Sequence, residues 1–274
     1  MAQIRRTYDN EDDLSESSPR IPFRALKSFF EEVALIFRFS AQFFKEFFKH
    51  GFELKETAKQ AYRIGYNSLP LVAVTGFIMG LVLTMQSQPT LKNFGAEAWL
   101  PAMVGVSLIR EMGPVITALI CAGKSGSGIG AELASMKVTE QIDAMEVSGT
   151  NPFRFLVVTR VVASVLMLPV LAIFADAIGI IGSYIGVNLY GDLHFKLFIV
   201  QVFEKVEFWD IFPALIKTFF FGLAIGIVGS YKGYYASNGT EGVGNAANSA
   251  VVISSLLIFI IDLIAVQITS LFSY

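Results

Sequence analysis

One cysteine and two histidines are all that 274 residues offer in thiol and imidazole chemistry. Cys121 lies in an apolar run, so neither a disulfide framework nor a cysteine metal site can form within the chain. His50 and His194 are far apart in sequence and read as surface residues. Charge is scarce as well: Asp, Glu, Lys and Arg make up 16% of the chain, against about a quarter in an ordinary soluble domain. No nucleophile–base set, metal-ligand cluster or intact nucleotide motif is present. The chain is therefore not read as an enzyme; no metal or cofactor is expected, and nucleic acid is not among the expected partners.

What is abundant is apolar sequence, 54% of all residues. Runs of about 20 such residues recur too often for a signal peptide to explain them. The expected fold is an all-α integral membrane protein with five spans, at about 69–88, 99–123, 155–190, 211–231 and 250–272. Ser68 reads as the cap of the first span and Pro70 as part of its first turn. Pro89 to Ala98 reads as a short polar loop. The stretch 155–190 exceeds one perpendicular crossing, and Pro169 within it should bend it. Phe195 and its neighbours in 191–210 read as an amphipathic segment at the outer interface, Asp210 as the cap of the fourth span, and Lys232 to Asn248 as a glycine-rich loop.

Residues 1–20 are polar and mixed in charge, and disorder is expected there. In 21–63 the pattern turns aromatic and basic together. Phe29, Val33, Ile36 and Phe37, then Phe43, Phe44, Phe47 and Phe48, recur at helical spacing between charges. That is the signature of a helix lying in the membrane interface. About half of the Lys and Arg residues precede Asn67, which places the N-terminus in the cytoplasm and, after five spans, the C-terminus outside it. Lys124, Lys137, Arg154 and Arg160 then fall on the cytoplasmic side.

The most unusual stretch is Leu108 to Pro152. Arg110 and Glu111 lie midway along the second span, where each charge costs roughly 2.5–3.5 kcal/mol on insertion scales. Helix neighbours point about 100° apart, so each needs a partner from another helix, a second subunit or water. A polar element in a cavity wall and a structural ion pair with other helices both satisfy this, and the residues leave the two open. Gly113 and Pro114 follow; Pro114 offers no N–H to the Arg110 carbonyl, so a kink is expected. Gly123-Lys124-Ser125 imitates the end of a phosphate loop, but Ala118 replaces the first glycine and a span replaces the strand, so it reads as a tight turn over Gly123–Gly130. Beyond it, Ile129 to Val147 reads as one amphipathic helix with Glu132, Lys137, Glu140, Asp143 and Glu146 on its polar side. Acidic residues repel anionic headgroups, so this helix suits docking to a basic or apolar groove of a partner protein.

The segment LIREMGPVITALICAGKSGSGIGAELASMKVTEQIDAMEV, with the Asn151-Pro152 that follows, closely resembles the MlaE/YrbE-type permeases of ABC transporters that work with MCE proteins. The similarity extends from about Ala61 to the C-terminus and leaves residues 1–50 uncovered. Two departures are Lys124, where the family commonly has Arg, and Asn151, where Asp often precedes Pro. The resemblance implies a homodimer of five-span subunits, each with an interfacial helix, in the bacterial inner membrane. It implies a cytoplasmic ATPase gripping Glu132–Glu146 as a coupling helix, Arg110 and Glu111 as an intramembrane polar pair, and a phospholipid cavity opening toward a periplasmic MCE protein. The cavity walls would come from the first and fifth spans, with Leu81, Met85 and Gln86 as candidate lining. Two competing expectations are a stand-alone secondary transporter, using Arg110, Glu111, Asp176 and Asp262 as a relay, and a non-transporting membrane anchor.

Overall fold

The computed structural model describes residues 21–49, 53–189, 191–237 and 239–272, and the expected disorder of 1–20 lies outside that range. Every regular element among the described residues is helical. The chain divides into an arm, described over 21–42, and a body that begins at Phe43. Helix α1, Ile21–Phe47, starts in the arm. Phe30, Val33 and Phe37 of the arm stand exposed, and Phe39 is buried.

In the body, five helices are long and apolar enough to cross a membrane. They are α2 (Leu54–Asn93), α3 (Glu97–Val138), α5 (Phe153–Asn188), α7 (Phe208–Tyr234) and α8 (Thr240–Phe272). Two shorter helices link them: α4 (Gln141–Val147) and α6 (Phe195–Lys205). Most of the long helices overrun their apolar cores. Helix α2 begins at Leu54, so Ser68 and Pro70 lie inside it and cap nothing, and residues 54–63 are continuous with the helix of the first span. Its far end runs through Pro89 to Asn93, leaving only a brief connection where a loop from Pro89 to Ala98 is expected. Helix α8 likewise begins within the expected loop 232–248. Within the expected third span, Phe153–Asn188 is one helix that continues through Pro169.

Close packing of α2 on α5 frames the body. A Cβ at Gly80 would stand 1.8 Å from the Gly179 carbonyl oxygen, and one at Gly182 would stand 2.2 Å from that of Phe77. Only glycine lets the two backbones approach so far, the usual device of membrane helix pairs. Beside this seam the Thr84 and Ser183 hydroxyls bond to each other at 2.8 Å, so neither is left unsatisfied in an apolar setting.

The Gly123–Gly130 stretch does not turn the chain. Helix α3 runs straight through it, with a π-helical turn at Ala122–Gly126. Gly126 and Gly130 serve contact instead: a Cβ at Gly126 would meet Ile225 of α7 at 3.3 Å, and one at Gly233 of α7 would meet the Gly130 carbonyl oxygen at 2.7 Å. The break falls later, at Glu140, whose φ of 59° is left-handed, and it divides the expected single coupling helix into the end of α3 and the separate α4. Asn151 Oδ1 accepts the Arg154 N–H at 3.2 Å, which caps α5 as its residue type suggests.

Candidate functional site

The second span carries its charges into the bundle through a π turn, Leu108–Met112. The Gly113 N–H reaches back five residues to the Leu108 carbonyl, which accommodates the donor missing at Pro114. Arg110 and Glu111 are thereby presented from an irregular turn. Arg110 lies eleven positions beyond Trp99, about 16 Å along the helix axis.

Neither charge answers the other. Arg110 Nε pairs with Asp210 Oδ1 at 3.3 Å, and Glu111 Oε2 accepts from Lys217 Nζ at 2.5 Å. Lys217 also donates to Asp262 Oδ1 at 2.9 Å. Two cations and three carboxylates from α3, α7 and α8 thus form a ladder from Asp210 down to Lys217, two helical turns or about 10 Å apart. Asp210 is not the cap of α7: Glu207 holds that position, and Asp210, three residues on, accepts the Glu207 N–H at 2.9 Å in a reciprocal capping box.

Lys217 is the hub and is 4% exposed, whereas Glu111 is 42% exposed. Removing an ammonium from water costs several kcal/mol, which only close, hydrogen-bonded carboxylates offset. The exposed partners face a groove. Its charged compartment, about 340 Å³, is lined by Arg110, Glu111, Asp210 and Lys217. An apolar compartment of about 850 Å³ adjoins it, walled by residues such as Phe212, Ile216 and Phe220 of α7 and Ile261, Ile264 and Ile268 of α8. Lys217, Trp209, Pro213, Ala265 and Thr269 line both. A molecule with a charged end and an apolar end matches this division; volumes of this order are typical of ligand sites, about 300–1,000 Å³.

Of the residues singled out from sequence, Arg110, Glu111 and Asp262 come together here. Lys217 escaped attention, although a lone lysine within an apolar span is a signal by itself. Asp176 stands apart from the ion pairs: its Oδ1 is buried without a hydrogen-bond partner, beside Gly113, where a Cβ would come within 1.7 Å of it. That close contact gives Gly113 its place next to Pro114. Leu81 and Met85 are half-buried on α2 and Gln86 is exposed; none of them lines either compartment.

The other candidates lie at the opposite end of the bundle. Glu132 and Lys137 are on the last turns of α3, Glu140 is at the break, and Asp143 and Glu146 are on α4. Lys137 pairs with Asp143 across the break at 2.8 Å, and Val147 is 90% exposed. Lys124 donates to the Asn67 carbonyl and Ser125 meets Ser68 at 3.2 Å. Backbone N–H groups there are committed to a helix, so the Gly-Lys-Ser run forms no phosphate cradle.

The family model for Permease MlaE matches residues 57–268. A probable ABC transporter permease protein of Rickettsia typhi is 40% identical over 234 residues, 85% of this chain and 90% of the relative. Another of Synechocystis is 34% identical, over 86% of this chain and 90% of its own length. The intermembrane phospholipid transport system permease protein MlaE of Haemophilus influenzae is 36% identical over 207 residues, 75% of this chain and 79% of its own. With its multi-pass helical body and a match across most of its length, the chain belongs to the MlaE permease family.

Proposed function

We propose that this permease is the membrane subunit of an ATP-driven transporter that moves phospholipid between the bacterial inner membrane and a periplasmic MCE-domain protein. One observation carries the substrate class: a charged compartment opens directly into an apolar one, with Lys217 lining both. A phospholipid headgroup, with its phosphate and accompanying charges, suits the first, and acyl chains suit the second. The name of the Haemophilus relative supports the same substrate. The sequence resemblance supports the MCE partner, the inner-membrane location with a cytoplasmic N-terminus, and assembly as a homodimer.

In this reading the permease catalyses no chemistry. A separate ATPase docks on the α3–α4 segment, where Val147 and the acidic residues of α4 face outward. ATP-driven closure of the paired motors tilts these segments and narrows the lipid groove. The exposed apolar face of α8, including Leu256, Phe259 and Leu263, supplies further wall or a contact to the second subunit.

The test is purification of the chain from its own membranes, followed by lipid analysis and reconstitution with the co-purifying ATPase. Phospholipid should co-purify, and transfer of a labelled phospholipid should require ATP. Absence of bound lipid and of an ATPase partner, or transfer driven by an ion gradient without nucleotide, would overturn the proposal.

A further inference from the structure

Away from the groove, three helices meet at a single carboxylate. Glu132 of α3 accepts from Arg63 Nη1 of α2 at 2.7 Å on Oε2, and from Arg160 Nη2 of α5 at 3.0 Å on Oε1. The two arms are unlike. Arg63 is more than half exposed, and such pairs contribute little, about 0–1 kcal/mol. The Arg160 side chain is 3% exposed and is fixed by a second bond from Nη1 to the Leu156 carbonyl at 2.8 Å. A cation so placed depends on its one carboxylate.

We propose that Glu132 is the node through which movement of the α3–α4 segment reaches α2 and α5, and that it is not a docking contact for the motor. The inference rests on the proposed function, in which an ATPase works on that segment. Three features support it. Both Glu132 oxygens already hold guanidinium groups from the same chain, so its charge is answered within the fold. The following turns carry the outward groups: Lys137 and Asp143 pair with each other, and Val147 stands in the open, so docking and ion node occupy different places. Among the described residues, the Glu132 pairs are the ionic ties from this end of α3 to other spans.

A contiguous path leads from the node to the groove. One residue beyond Arg160, Val161 packs on α7, where a Cβ at Gly226 would meet its Cα at 2.8 Å. Ser164 does the same at Gly222, with its carbonyl oxygen at 2.6 Å. Lys217 lies on that helix, five positions from Gly222. Contiguity alone does not establish coupling, so the test has to measure coupling itself.

The full complex with its ATPase is reconstituted in vesicles, and three quantities are read: ATPase affinity, ATP hydrolysis, and labelled phospholipid moved per ATP. Glu132→Gln keeps the side-chain shape and removes the charge. It should leave affinity and hydrolysis within about twofold and lower lipid moved per ATP at least tenfold. Val147→Asp should do the reverse, weakening ATPase affinity at an unchanged ratio. A tenfold loss of ATPase affinity in Glu132→Gln would make Glu132 a docking contact and overturn the proposal, as would an unchanged ratio. Should Glu132→Gln not fold, Arg63→Gln at the exposed arm serves: a roughly threefold lower ratio supports the node, and an unchanged one overturns it. Absence of ATP-driven transfer in the unmodified complex would overturn the proposed function itself, a result separable from any effect of Glu132.

Discussion

Replacing Lys217 by methionine separates what the ion network does for stability from what it does for transport. Methionine fills much of the lysine volume without charge. It leaves Glu111 and Asp262, which had been 2.5 and 2.9 Å from the ammonium, facing each other without a cation. Breaking a buried pair by removing one partner costs about 3–5 kcal/mol. Glu111 is 42% exposed to the groove, so water recovers part of that loss, and the lower end, about 3 kcal/mol, is expected. At roughly 2–4 °C per kcal/mol, thermal unfolding of the detergent-solubilised protein should fall by about 6–12 °C. Neutralising all three positions, Lys217→Met with Glu111→Gln and Asp262→Asn, removes the stranded charges. Stability should return to within about 1 kcal/mol of the parent, because uncharged packing substitutes well for buried ion pairs. ATP-driven phospholipid transfer should stay at least tenfold down in both variants, since the headgroup compartment has lost the cation that also borders the apolar compartment. A single variant as stable as the parent, or a triple variant that transports normally, would refute the reasoning.

Four further outcomes follow from packing, backbone geometry and the ion network. Gly80→Ala should destabilise by about 1–3 kcal/mol through overpacking, because the new Cβ meets the Gly179 carbonyl at 1.8 Å; Gly128→Ala, with nothing within 4 Å, should gain about 0.5–1 kcal/mol, both read by thermal unfolding. Glu140→Gly should stabilise by about 1 kcal/mol, since φ there is 59° and a left-handed residue with a side chain costs roughly 1–2 kcal/mol; equal stability in both forms would show the break to be unstrained. Asp176→Asn should leave phospholipid transfer within about twofold, because Asp176 forms no ion pair with the groove network; abolished transfer would revive a proton relay through it.

Hydropathy made the membrane class and the number of spans legible, because the cost of unpaired backbone in lipid forces apolar runs into helices. It did not locate helix ends. Hydropathy senses the apolar run, whereas the helix continues beyond it, as α2 does between Leu54 and Ser68 and α8 does between Thr240 and Asn248. Composition also misled at Gly123–Gly130: glycine and serine favour turns in water, but here the helix continues, and Gly126 and Gly130 admit close contact with α7. That Arg110 and Glu111 do not satisfy each other was readable from their spacing alone, with another helix, a second subunit and water all left open as partners. The identities Asp210 and Lys217 were not, because they are set by how α3, α7 and α8 pack. Glu132 shows the same limit: an acid on an amphipathic pattern reads as surface, and only the fold brings Arg63 and Arg160 to it.

The most direct test of the central claim is photocrosslinking of bound lipid at single positions of the assembled complex. A photoreactive residue at Ile264, in the apolar compartment, is compared with one at Val170, exposed on α5 and outside either compartment. Each complex carries radiolabelled phospholipid in detergent and is irradiated before and after ATP is added. A phospholipid seated in the groove predicts strong labelling at Ile264 that falls at least severalfold during ATP turnover, with weak and unchanging labelling at Val170. Equal labelling at the two positions, unaffected by ATP, would contradict it.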